Sequence, residues 1–256
     1  RLVFFKKLNN EKESLTNAFN HISYVKDSNQ FRKQILEILK AKYSVYEELL
    51  RDEFFKTGNG LIYSKNRTYL IDFIIKVTYE IACKRFLTPK KTNYNLITLV
   101  ALGGYGRREM APFSDVDLLL IFPDKKSRSM ESVAKFILYI LWDLGLKVGH
   151  AVRGINECIE EAKKDIIINS SLLDMRYIGG NKKAYLNLKL FFNKEFLNKN
   201  KVYFMNAKLK EREKRHLEMG DSRYLVEPNI KECKGGLRDL HSVFWIAKYA
   251  FGISSI

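Results

Sequence analysis

Cysteine is scarce in this chain, and the placement of its three copies excludes more than their number does. Cys83, Cys158 and Cys233 stand about 75 residues apart, so no CxxC redox pair or zinc spacing can be drawn from them. Reduced thiols and a cytoplasmic setting are the expectation. Long apolar runs are missing as well. The best stretch, Leu96 to Leu102, is soon interrupted by Gly103 and Arg107, well short of the roughly 20 residues that cross a bilayer, so no membrane partner is expected. No secretory signal is expected, and no internal repeat or low-complexity segment is read in the sequence. The chain opens on Arg1 rather than Met and closes on Phe251 to Ile256 with no helix stop or polar tail. It reads as a fragment of a longer protein.

Acidic charge is in short supply: 29 Asp and Glu against 45 Lys and Arg leave a net charge of +16. Such an excess attracts polyanions, nucleotide phosphates among them. The lysines are dispersed in pairs, as in Lys6-Lys7, Lys90-Lys91, Lys125-Lys126, Lys163-Lys164 and Lys182-Lys183, with no arm of consecutive basic residues. No basic strand is interleaved with the aromatics that stack bases. A solvated, lysine-biased surface is therefore expected, and nucleic acid is not an expected partner.

With 46% hydrophobic residues the chain can bury a sizeable core. Phe31, Ile35, Leu36, Leu39, Tyr43, Tyr46 and Leu50 recur at helical spacing within an amphipathic helix from Gln30 to Phe55. After Gly58-Asn59-Gly60 a second helix runs from Ile62 to about Phe86 and closes near Pro89. The pattern then shifts to short apolar runs. Leu96 to Leu102 and Val116 to Phe122 read as buried strands, and Leu146 to Val152 alternates like a third. Between the last two lies a helix from Ser129, its N-cap, to Leu144, with Glu131 in its first turn and Gly145 just past its end. From Ile155 helices return, with Gly179-Gly180 as a break and a charged helix around Lys208 to Met219, read as a solvated helix with internal ion pairs. The expected fold is α+β: a small mixed-sheet core at 93–180, flanked by helical regions at 1–92 and 181–256.

The chemistry concentrates between Leu102 and Ile121. Gly103 and Gly104 directly follow a strand, where missing side chains let backbone approach a phosphate chain. Arg107 adds a fork-shaped phosphate donor. After a gap of ten residues from Gly104 come Asp115 and Asp117, whose period-two spacing puts both carboxylates on one face of a strand. Two charges at the mouth of the buried run Leu118 to Ile121 are costly unless water or cations meet them. Hard oxygen ligands of this kind suit Mg²⁺, which binds through one or two carboxylates plus substrate phosphates.

The glycine pair, the gap and the Asp-x-Asp resemble the polymerase β type nucleotidyltransferase superfamily. Within it, the string Gly103-Gly104-Tyr105-Gly106-Arg107 is similar to the bacterial PII uridylyltransferase family. So are Gly145 to Arg153 and the segment Glu227-Pro228-Asn229-Ile230-Lys231-Glu232-Cys233-Lys234-Gly235-Gly236-Leu237-Arg238-Asp239-Leu240-His241. The resemblance implies transfer of UMP from UTP to a tyrosine hydroxyl of the PII signal protein, with Mg²⁺, two ions in all, as cofactor. Gly103 and Gly104 would hold the UTP triphosphate, Asp115 and Asp117 would bind metal and be essential, and Arg107 and Ser114 would lie near the nucleotide. Many superfamily members carry a third carboxylate; Glu109, Asp174 and Asp239 are the candidates, and His150 is read as structural. Cys233 and Arg108 stand where the family favours glycine. Its members also carry a metal-dependent HD hydrolase domain and glutamine-sensing ACT domains; no His-Asp dipeptide occurs here, so this piece is expected to transfer and not to remove. The competing readings are an adenylyltransferase acting on glutamine synthetase and a nucleotide-sensing module without catalysis.

Overall fold

The computed structural model describes residues 27–87, 97–123, 127–197, 199–222, 224 and 226–253, with Leu8, Leu15 and Phe19 as single positions. Leu96, Pro89 and the pairs at 6–7, 90–91 and 125–126 lie outside the described residues. Among the described residues no helix is long and apolar enough to cross a membrane.

Helix α1 (Ser28–Thr57) starts where the Asp27 side chain accepts from the Gln30 N–H and stops at Gly58, whose φ of 65° is the left-handed value a C-terminal cap requires. Phe31, Ile35, Leu39, Tyr46 and Leu50 form its buried stripe. Helix α2 (Gly60–Phe86), capped by Asn59, is instead buried around most of its circumference from Asn66 to Cys83. It packs against α1 on one side and against α4 (Arg128–Asp143) on another. The cap of α4 is Ser127, whose hydroxyl accepts from the Met130 N–H. Sequence reading had placed the cap at Ser129; the two serines are equally suited by type, and the extended backbone at Ser127 decides between them.

A four-stranded sheet runs in the order β3-β2-β1-β4, from β1 (Thr98–Ala101), β2 (Val116–Ile121), β3 (Val148–Arg153) and β4 (Arg176–Gly180). β1 pairs antiparallel with both β2 and β4, whereas β2 and β3 are parallel. The mixed α+β architecture is the expected one, with one strand more. β4 had been read as a break at Gly179-Gly180. Only Ile178 of that strand is fully buried, a bulge interrupts its pairing with β1, and Gly180 has φ 83° and a Cβ there would overlap the Ile97 carbonyl oxygen. Two glycines and one core residue leave no period-two signal to read.

The chain divides into two compact units, residues 1–155 with 174–185 and residues 156–173 with 186–256. The first holds the sheet, α1, α2, α3 (Gly103–Arg107) and α4. The second holds most of α5 (Ile155–Lys164) and α7 (Lys182–Phe196), and all of α6 (Ile166–Leu173), α8 (Lys201–Glu218) and α9 (Leu237–Phe251). Its α8 and α9 pack through Phe204 stacked on Tyr249 at 3.9 Å. The charged helix α8 is less solvated than expected. Lys208 is 1% exposed, its ammonium lying 4.3 Å from the Trp245 ring centroid and 2.5 Å from Glu211, and Arg215 is buried too.

Candidate active site

The Gly103-Gly104-Tyr105-Gly106-Arg107 string is the short helix α3, wedged between β1 and the start of β2. Each residue type has a local cause. Gly103 takes φ 53°, and a Cβ there would lie 2.9 Å from Asp117 Oδ2. A Cβ on Gly106 would overlap the Asp174 carbonyl oxygen. Tyr105 is wholly buried and donates to Asp72 Oδ1 at 2.6 Å. Arg176, from β4, grips the same carboxylate with both terminal nitrogens at 2.7 and 3.0 Å, and reaches the Gly106 and Tyr105 carbonyls at 3.1 Å each. A fully satisfied buried network of this kind fixes α3 against α2 and β4. Burial, reinforced by the negative charge of Asp72, pushes the Tyr105 hydroxyl well above its ordinary value, so it stays a donor.

The metal-ligand candidates sit at the adjoining strand. Asp115 is exposed just before β2, Val116 points into the core, and Asp117 is half-buried on the other face. Asp117 pairs in register with Gly149 of β3. Its carboxylate is bounded on both sides by bare backbone, because a Cβ on Gly149 would lie 2.7 Å from Oδ1 just as one on Gly103 would lie 2.9 Å from Oδ2. Its own carbonyl accepts from the Leu102 N–H at 3.0 Å, so the turn at Gly103 is tied to the strand that carries Asp117. Gly103, Gly104 and Asp117 are thus brought together. Ser114 is half-buried next to Asp115, its N–H donating to the Ala111 carbonyl at 3.2 Å. That loop is anchored from α2 by Arg67, which donates to the Ala111 carbonyl and to Glu47 at 2.8 Å each.

Arg107 faces carboxylates. Its Nε donates to Glu109 at 2.7 Å and its Nη1 to the fully buried Asp174 carboxylate at 2.6 Å. Burial works to lower its pKa, and the charges of Asp174 and Glu109 outweigh it, leaving the guanidinium above its ordinary value. Nη2 nonetheless lies close over Gly104, 3.8 Å from where a Cβ would stand. Two of the three candidate third carboxylates are therefore partners of Arg107. The other, Asp239, belongs to the second unit, where it accepts from Arg215, His216 and the Gly235 N–H. Exposed His150 packs its ring edge on Trp142 at 5.7 Å. Arg108 closes α3 with φ 67°, which accounts for the glycine its position favours.

Among the described residues no group of three or more His, Cys, Asp or Glu side chains could hold a metal unaided. Two carboxylates without an enclosing cage fit Mg²⁺ as it is used in phosphoryl chemistry, where substrate phosphates and water complete the shell. Asp115 and Asp117 are the residues that would hold it. Gly149, Asp72 and Arg176 were not singled out from sequence. Asp72 left a signal, a lone carboxylate inside the apolar run Leu70-Ile71-Asp72-Phe73-Ile74-Ile75.

A glycine turn closed against a strand that carries Asp117, with Asp115 just before it, fits the nucleotidyltransferase class, and the nucleotidyltransferase domain model matches residues 83–173. A second model, the PII-uridylyltransferase, matches residues 203–256. The chain is 43% identical over 208 residues to the bifunctional uridylyltransferase/uridylyl-removing enzyme of Azospirillum brasilense, covering 81% of this chain and 22% of that protein. For the proteins of the same name in Rhodopseudomonas palustris and Rhodospirillum rubrum, identities are 45% and 42%, over 85% and 91% of this chain and 23% and 25% of theirs. The chain is thus a homologue of the proteins so named, carries a nucleotidyltransferase domain at 83–173, and spans about a quarter of these relatives' length.

Proposed function

We propose that the chain is the transferase portion of such an enzyme, moving UMP from UTP to a tyrosine hydroxyl of the PII nitrogen-regulatory protein in the cytoplasm. The tyrosine oxygen bonds to the α-phosphorus, the bond from that phosphorus to the bridging oxygen breaks, pyrophosphate departs and the hydroxyl proton passes to water. The observation that carries this reading is the Asp117 carboxylate held between Gly103 and Gly149 beside the glycine turn. Gly103 and Gly104 offer backbone to the triphosphate at close range. Arg107 and Ser114 flank the phosphate path, with Arg107 oriented by Glu109 and Asp174. Asp115 and Asp117 hold Mg²⁺, which when bound neutralises the triphosphate and the leaving pyrophosphate. In this reading residues 93–180 are the core, and the helical regions 1–92 and 181–256 flank it.

The test is transfer of label from UTP or ATP to PII or glutamine synthetase by the chain with Mg²⁺. Label on PII from UTP, abolished in Asp115→Asn and Asp117→Asn while thermal unfolding is unchanged, is the expected result. Label on glutamine synthetase from ATP assigns the adenylyltransferase reading instead, and near-normal turnover in either Asn variant overturns the mechanism. Nucleotide binding with no transfer to any acceptor points to a sensing module.

A further inference from the structure

The segment Asn229 to Asp239 takes no part in the site above, yet it frames a cavity in the second unit. Much of its sequence is explained by its own folding. Asn229 caps the Lys231 and Glu232 N–H groups, and the N–H groups of Gly236, Leu237 and Arg238 donate to the carbonyls of Cys233, Ile230 and Lys231. Gly236 must lack a side chain because those three carbonyls would lie 2.7 to 2.9 Å from a Cβ.

What folding does not explain is the cavity between this turn and the end of α8. Its volume is about 780 Å³, and Arg212, Glu213, His216, Asp221, Lys234 and Asp239 line it. That is the size range of small-molecule sites. Two of its acids are already compensated. Asp239 receives Arg215, His216 and the Gly235 N–H, and Asp221 receives the Lys234 ammonium at 2.6 Å. Arg212 is different, because its Nε is buried and has no hydrogen-bond partner among the described residues. A guanidinium in a cavity wall with no ion-pair partner among the described residues suits an anion. Arginine presents a fork that matches an oxyanion, and Lys234, already paired with Asp221, stands in the same wall.

We infer that this cavity is a binding site for a phosphate-bearing small molecule, with Arg212 as the residue that holds the phosphate and Lys234 beside it. The phosphate could be that of a nucleotide or free phosphate, and both present the same group to Arg212. Glu213, on the same wall, suits a hydroxyl or amino donor elsewhere on the ligand.

Calorimetric titration of the chain with UTP, inorganic phosphate and citrate decides the matter. EDTA is present throughout, so that Asp115 and Asp117 hold no cation and a failure of the proposed transferase site does not affect the result. UTP or inorganic phosphate is expected to bind, with affinity at least tenfold weaker in Arg212→Gln and partly kept in Arg212→Lys, while both variants melt with the wild type. Binding of UTP alone makes the ligand a nucleotide, and equal binding of inorganic phosphate makes it the free ion. The inference fails if neither phosphate compound binds, if citrate alone binds, or if the affinity is the same in Arg212→Gln.

Discussion

Replacing Gly149 by alanine separates the geometry of the carboxylate from the stability of the fold. The added methyl would stand 2.7 Å from Asp117 Oδ1 and 3.9 Å from its Cγ, with nothing else within 4 Å. Carbon and oxygen do not remain below 3.0 Å, so the carboxylate must swing by about half an ångström or more, a displacement of the size that costs catalysis about 10- to 100-fold. That is about 1.4 to 2.7 kcal/mol on the barrier. The fold itself loses nothing: Gly149 lies exposed on β3 without positive φ, and alanine is preferred to glycine within a strand by roughly 0.5 to 1 kcal/mol. The assay is labelled transfer from UTP measured beside thermal unfolding. Turnover should fall at least tenfold at unchanged or raised Tm. Wild-type turnover in Gly149→Ala would refute the claim that bare backbone on both sides sets the Asp117 carboxylate. Gly103→Ala is the contrasting variant, since its φ of 53° adds backbone strain and should lower Tm as well.

Arg176→Met should destabilise the first unit by about 3 to 5 kcal/mol in urea unfolding, because it strands the Asp72 carboxylate in the interior; a loss below 1 kcal/mol would show that Tyr105 alone suffices. Stability should also fall above about pH 9 to 10. Burial raises the Cys83 thiol to about 11 from 9.0 and the Tyr105 hydroxyl well above 10.0, so the unfolded chain releases these protons first, and the stability these groups contribute is present below that range and lost as pH rises through it. Tyr105→Phe should flatten that alkaline slope at a cost of about 1 to 3 kcal/mol at neutral pH, and an unaltered slope in this variant would show that Tyr105 does not contribute. Gly236→Ala sets a methyl against three backbone carbonyls and should lower the stability of the second unit by about 1 to 3 kcal/mol, read by hydrogen exchange at Trp245 and Tyr249.

The parts of the fold legible in sequence were those with strong periodicity. The stripe of Phe31, Ile35, Leu39 and Leu50 marked α1, and the unbroken apolar runs marked β1 and β2. Gly103 was legible because only glycine tolerates the approach of Asp117 there, whereas Asp115, just before β2, was placed beside Asp117 by period-two spacing alone. β4 was not, since a strand of five residues with one buried side chain and a bulge carries no pattern. Nor was the carboxylate environment of Arg107: Asp174 comes from 67 residues away, and no local spacing encodes that meeting. Lys208 misled by its charge, because its burial depends on a tryptophan face supplied by α9.

β4 arrives late. The nucleotidyltransferase domain model ends at residue 173, three residues before the strand that completes the sheet and carries Arg176. A protein cut at that boundary would leave the β1 edge unpaired and Asp72 without its guanidinium. The same interval matters during synthesis. With translation at about 5 to 20 residues per second, the carboxylate-bearing strand leaves the ribosome seconds before the edge strand that closes its sheet. For that time the nascent core exposes an open sheet edge, which makes this interval the one in which chaperone protection counts most.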